Sequence, residues 1–581
     1  MKKLEWDLSN LFKTKDDFYS QIDNVRKMTQ DIQSFKNKKI DDKLLLELLN
    51  RKYEIKEQSN NILIYGSLCY YKNVNDDECA ELKKIAEQTD NEINAKLKFI
   101  DGIILDLGRD TIREFLLKNT DLKKYDLYLD NLFRLHEHIQ SDEINEQIKD
   151  NINLINEQLS SYNTLLNSME YEDIESDGKK LEVTSANFAK YISSRDRDIR
   201  RQAYLSVNNA YSDKKDEFAH ILNMIYGLRI KNAELENYNS VLEKVLFEEN
   251  IDSRIVTSLI KNVHDNLPLI QEYLDLKAYK LEIEDPHLYD FNVPLDNGLK
   301  IKYTMEEAVD IIKNALRPLG DKYLEVVERL LDGHIDAEVD DNKHQSITFS
   351  WHTYSFMNFR GAYVDLKNMI HEIGHIVNYY LSMKEQPFIY EDSTIFVGET
   401  ASIVNEILLN KYLYENAKTD DEKIFYLSKE IENYFTSVFK QTMYTEFENE
   451  LYKVKGKHEL TSSLLSEKYA SIIKKYYGNK VNYDDVSCIE WARLGHLYRY
   501  SYYPYKYATG LLMASVVVNS IVNDNSLLID DYLKFLASGS SKYSLDLLKT
   551  LHIDLSDDEI MTEGFKVLEN DVKELTKVLK K

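Results

Sequence analysis

The sequence predicts a mainly α-helical protein, on three observations. Chain breakers are scarce, with 17 glycines and 6 prolines in 581 residues, which favours long helices over a many-stranded barrel or sandwich. Apolar residues recur at three- and four-residue steps between charged ones, the pattern of helices that bury one face. The length exceeds what one hydrophobic core needs. Two units are therefore expected, an N-terminal helical domain over 1–190 and a second helical domain over 191–581.

From Asp16 to Asn167 the pattern is helical, as in Leu44-Leu45-Leu46-Glu47-Leu48-Leu49. The stretch Glu172 to Gly178, followed by Leu181 to Thr184, reads as a turn with a short strand. Helices resume through Arg195-Asp196-Arg197-Asp198-Ile199-Arg200-Arg201, whose mixed charges read as a solvated helix face. Pro268, Pro286 and Pro294 fall within 27 residues, so Asp285 to Gly298 is the clearest long loop. Thr348, Phe349, Trp351, Thr353, Tyr354 and Phe356 have β character and predict a small sheet.

Charge and composition exclude several functions. A net charge of −26, with no Lys/Arg-rich block, argues against nucleic acid as a partner. No apolar run of membrane-spanning length is expected, and Met1-Lys2-Lys3 opens onto no apolar signal core. Cys69, Cys79 and Cys488 are too few for a disulfide framework. A cytoplasmic location is the expectation.

The segment Met369 to Val377 contains His371-Glu372-Ile373-Gly374-His375. Residues four apart lie one above the other on a helix, so two imidazoles can grip one ion. Leu366, Met369, Ile370, Ile373, Val377, Tyr380 and Leu381 form an apolar stripe, and at 100° per residue the histidines point away from it. From Thr394 to Leu413 the chain is apolar on most sides, yet Glu399, Ser402, Glu406 and Asn410 align as one polar stripe. Burying two carboxylates is costly unless a partner neutralises them. Glu399 is thus expected as the third metal ligand and Glu406 as a group that orients a ligand histidine. Asp392 and Ser393 read as helix-start residues. Asn378 and Leu381 stand where a third histidine of the metzincin pattern would lie. Two His and one Glu, with a fourth place open, is a catalytic zinc arrangement, and Glu372 is placed to act on a water there.

His496 to Tyr507 holds six tyrosines in the ten residues from Tyr498. Tyrosines four apart on a helix, such as Tyr503 and Tyr507, can donate to a developing oxyanion. An aromatic core segment is the alternative reading.

These residues resemble the oligoendopeptidase F branch of the thimet oligopeptidase-like zinc metallopeptidases, over nearly the whole chain. Trp6 to Leu11, Asp196 to Tyr204, Leu246-Phe247, Gln386 to Tyr390, Phe396 to Glu406, Trp491-Ala492-Arg493 and Tyr507 to Gly510 carry the similarity beside the His371–His375 motif. The resemblance implies two helical halves around a deep channel and unfolded oligopeptides as substrates. It implies one zinc ion per chain on His371, His375 and Glu399, with Glu372 as general base and then proton donor. It also implies that His496 and Tyr507, with Tyr503, stabilise the transition state. The 191–581 region would then be the catalytic domain.

The chain departs from the family pattern in places. Asn342 to Thr348 lacks the usual glycine-rich loop, Ser538-Gly539-Ser540-Ser541 has one glycine fewer, and the spacing after His496 leaves Tyr502 and Tyr505 as rivals of Tyr503. The alternative functions are a catalytically silent peptide-binding protein of the same fold and a helical zinc carboxypeptidase.

Overall fold

The computed structural model describes residues 3–295, 298–345, 347–522 and 526–580. Asp296 and Asn297 of the proline-rich loop, Ser346 of the 342–348 segment, and Met1 and Lys2 lie outside the described residues. The protein is 73% helical. The chain forms two compact units, each assembled from three stretches: 1–138, 301–409 and 520–552 in the first, and 139–300, 410–519 and 553–581 in the second. The expected cut at 190/191 falls inside the first stretch of the second unit.

The first unit contains a helix pair, α1 (Asp42–Lys72) and α2 (Asp77–Leu97), which follows the helix Lys15–Asp31. Asp41 and Asp76 cap them by accepting from the first-turn N–H groups, which satisfies donors that have no partner inside the helix. Phe18, Leu45, Leu48, Ile62, Leu82 and Ile93 form their fully buried core.

The expected small sheet is present. β1 (Ile335–Asp336), β2 (Phe349–Trp351) and β3 (Tyr354–Phe356) lie in the order β1-β3-β2, with β1 parallel and β2 antiparallel to β3. Trp6 explains the chain's opening residues. Its ring is buried against Tyr354 and Phe356, and Nε1 donates to the Ser355 carbonyl at 2.8 Å. Lys343, from the atypical 342–348 segment, is buried beneath this sheet. It donates to Asp336 Oδ1 at 2.8 Å and to the carbonyls of Glu338 and Met357.

Two helices follow, α3 (Tyr363–Glu385) and α4 (Ile395–Glu415). The Asp365 carboxylate accepts from the N–H groups of Arg360 and Ala362, both at 2.9 Å, and so secures the start of α3. Leu366, Met369, Ile370, Ile373, Val377 and Tyr380 are buried as the stripe predicts. A Cβ on Gly374 would stand 2.5 Å from Ser402 Cα, so only glycine permits α3 to cross α4 this closely. Gly539 (φ +50°) is retained for a similar reason, because a Cβ there would collide with the Tyr390 carbonyl.

The second unit includes the expected hairpin, Ile174–Ser176 paired with Lys179–Leu181. It corrects one sequence reading. Arg200 is not on a solvated face but 3% exposed, donating to Asp290 Oδ1 at 2.6 and 2.8 Å, while Arg197 donates to Asp290 Oδ2 at 2.9 Å. A single buried carboxylate thus fixes two arginines that the local charge pattern had suggested were free. Pro504–Val522 corrects another, since it is long and apolar enough to cross a membrane by length and composition. Buried positions make up 72% of that window, as in a core helix.

Candidate metal centre and its pocket

His371 and His375 project from successive turns of α3, as the four-residue spacing requires. Their Nε2 atoms stand 3.1 Å apart. Glu399, on the second turn of α4, brings its carboxylate to 3.8 Å from His371 Nε2 and 4.0 Å from His375 Nε2. These three residues are a group able to hold one metal ion. Two nitrogens about 2.0–2.1 Å from a tetrahedral ion would lie roughly 3.3 Å apart, close to the spacing of the two imidazoles. The donor set fits a borderline-soft divalent ion such as zinc.

The other ring nitrogen of His371 is already committed. Nδ1 lies 2.7 Å from Glu406 Oε1, and Glu406 Oε2 pairs with Lys367 at 2.9 Å. That contact leaves Nε2 as the nitrogen facing the pocket. Burial works against a charged His371, but the hydrogen bond and charge of Glu406, aided by Glu372 and Glu399, outweigh it and raise its pKa. His375 has no such partner; burial, then the neighbouring His371, push it down to about 3. Ser402 Oγ donates to the His371 carbonyl at 2.7 Å and Asn405 Nδ2 to the Ile370 carbonyl at 3.2 Å. The polar stripe of α4 therefore secures the histidine-bearing turn through both side chain and backbone.

Glu372 is 8% exposed, and burial raises its carboxyl pKa. Ser350 of β2 donates to its Oε2 at 2.5 Å, so the small sheet orients this carboxylate. Sequence reading missed Ser350; a serine at a strand position carries no spacing signal. A pocket of about 480 Å³ is lined by Ser350, His371, Glu372, His375 and Glu399, together with aromatic side chains of β2 and α3.

The second unit holds the other expected site residues. His496 is buried, with its ring 5.2 Å from Tyr444 and its Nε2 without a hydrogen-bond partner, and burial pushes it down to about 4. The rings of Tyr503 and Tyr507 meet edge-on at 5.3 Å, as their spacing predicts. Tyr505 is fully buried and bonded to Glu249, and Tyr502 is 3% exposed and stacked on Tyr452. Of the three rival tyrosines, Tyr503 alone retains appreciable exposure. The alternative reading as aromatic core thus holds for Tyr498, Tyr502 and Tyr505.

A model of peptidase family M3 matches residues 190–567. The chain belongs to peptidase family M3. This M3 peptidase is thus a peptide hydrolase of a metallopeptidase family. It is 27% identical to oligopeptidase PepF of Bacillus subtilis over 586 residues, covering 99% of this chain and 87% of that protein. It is 26% identical to the oligoendopeptidase F homolog of Borreliella burgdorferi, covering 99% of this chain and 98% of that one. A Chlamydophila abortus crystal structure superposes with a TM-score of 0.93 at 27% identity, over 99% of this chain and 98% of that one. The oligoendopeptidase-F of Enterococcus faecium, at 22% identity and a TM-score of 0.72 over 97% of this chain and 99% of that one, shares the fold.

Proposed function

We propose that this M3 peptidase is a zinc-dependent endopeptidase that hydrolyses internal bonds of short unfolded peptides. The observation that carries this reading is the convergence of His371 Nε2, His375 Nε2 and the Glu399 carboxylate on a pocket that Glu372 also lines. The family is generally zinc-dependent, and its oligopeptidase relatives support oligopeptide substrates.

His371, His375 and Glu399 would hold one zinc ion per chain. Zinc bound there supplies a Lewis acid that acidifies water and polarises the scissile carbonyl. Glu372 takes the proton of the attacking water and delivers it to the leaving amine. Its burial suits the first transfer, because a raised pKa makes the carboxylate a stronger base towards the water. Ser350 holds one oxygen of Glu372 still while the other exchanges the proton. Glu406 holds the His371 ring with Nε2 towards the ligand group. Among the residues of the second unit, His496, Tyr503 and Tyr507 are proposed as donors to the substrate oxyanion, and the exposure of Tyr503 supports it over Tyr502 and Tyr505.

The test is cleavage of an internally quenched peptide blocked at both ends, with and without a chelator, with products located by mass spectrometry. Internal cleavage that chelation abolishes and zinc restores is expected. Loss of single C-terminal residues from unblocked peptides alone would instead indicate a carboxypeptidase, and intact peptides with zinc-loaded protein a silent binder.

A further inference from the structure

At the crossing of α3 and α4, His371 is paired with Glu406 and its carbonyl with Ser402, but one wall of the pocket differs. The turn Glu391 to Thr394 enters α4 beside Glu399, and Asp392, Ser393 and Thr394 all line the cavity. Asp392 and Ser393 do not act as the helix-start residues expected of them. Ser393 Oγ is buried without a hydrogen-bond partner. Asp392 is exposed at the rim of the cavity; its carboxylate faces no cation among the described residues, and the surrounding protein raises its pKa. Glu391, just behind, is 8% exposed, and among the described residues its carboxylate accepts only from the Tyr379 hydroxyl, at 3.1 Å.

Facing this wall are aromatic surfaces. Phe349 and Trp351 of β2, His352 and Tyr379 line the same cavity. His352 sits in the left-handed backbone region (φ +58°), an uncommon conformation for a residue with a Cβ. That conformation directs its ring against Tyr379, with centroids 4.3 Å apart. Among the described residues, no lysine or arginine lines the cavity. One divalent ion would balance Glu372 and Glu399, leaving the charge of Asp392 without a counterpart.

We propose that this wall is the subsite for a basic side chain of the peptide, in which Asp392 pairs with the incoming cation and Tyr379, His352 and Trp351 supply aromatic faces for it. The inference rests on the peptidase reading above. An apolar side chain would desolvate Asp392 without compensation, and an acidic one would be repelled. A guanidinium satisfies the site best, because it pairs with a carboxylate, donates to a hydroxyl and stacks on aromatic rings. The net charge of −26 favours the approach of such peptides.

The test uses quenched peptides that carry arginine or its neutral isostere citrulline at each position flanking the scissile bond in turn. Cleavage by the wild type is measured beside binding, read by fluorescence polarisation on Glu372→Gln. At one position arginine should be preferred by about two- to fivefold in kcat/KM, the size of a solvent-accessible ion pair. Asp392→Asn should bring the arginine-to-citrulline ratio towards one, and Asp392→Lys should invert it. Cleavage with a ratio near one at every position, or a ratio unchanged in Asp392→Asn, would overturn the subsite alone. Arginine-selective, Asp392-dependent binding without any cleavage would overturn the peptidase reading and leave the subsite standing. Neither cleavage nor binding would overturn both.

Discussion

The metal-ligand crossing of α3 and α4 and the tyrosine segment from Gly495 to Tyr507 are both rich in buried polar groups, but they are held in different ways. At the crossing, each group is fixed by helical spacing and by the facing helix: His371 by Glu406, the His371 carbonyl by Ser402, and Gly374 by contact with Ser402. The tyrosine segment has no such regularity. Tyr502 adopts φ +51°, and its N–H donates to both oxygens of the buried Glu448, at 3.0 and 3.1 Å. Arg229 donates to the carbonyls of Leu497 and Tyr498 at 3.0 and 2.7 Å. One region is ordered by its own period and the other by residues distant in sequence.

That difference predicts how each region breaks. The largest effect belongs to Glu372→Gln, which removes the base but no metal ligand. Turnover should fall by roughly 10²–10⁴ with metal content unchanged, measured by peptide cleavage and metal analysis on the same sample. Next is Glu406→Gln, which loses the charged partner of His371 Nδ1. Zinc affinity should drop about 10–100-fold, read by competition with a chromophoric chelator. An unaltered affinity would mean that the α4 stripe does not support the ligand histidine.

In the tyrosine segment, Tyr503→Phe should lower kcat by more than Tyr502→Phe does, whereas Tyr502→Phe should act on stability. The reverse order would exchange their assigned roles.

The smallest expected effect is on stability against pH. Burial raises Glu448 to about 7 in the folded state, against an ordinary 4.5. Between those values the folded protein binds more protons than the unfolded chain, so stability is full below about 4.5 and falls as pH rises through 7. Glu448→Gln should remove that slope, seen as a smaller difference in Tm between pH 5 and pH 8. A slope equal to the wild type's would show that Glu448 does not titrate as its burial implies.

The same contrast explains what was legible in the sequence. The helical class, the small sheet before α3, and the His371, His375 and Glu399 cluster follow from period and spacing, which survive in one dimension. The pairing of Arg200 with Asp290, the burial of Lys343 under the sheet and the support of Glu372 by Ser350 do not. Each joins residues 7 to 90 positions apart, where no local pattern specifies the partner. Asp392 was misread for a related reason. An acidic residue ahead of a helix usually caps it, and only its three-dimensional setting, in a cavity without a cation, sets it apart.

The most direct measurement is the zinc content of purified wild type, His375→Ala and Glu399→Ala, with peptide cleavage assayed on each sample. One zinc per wild-type chain, lost together with cleavage in both variants, is the predicted result. Full zinc occupancy in both variants, or cleavage that persists without metal, would contradict the assignment of His371, His375 and Glu399 as the centre on which hydrolysis depends.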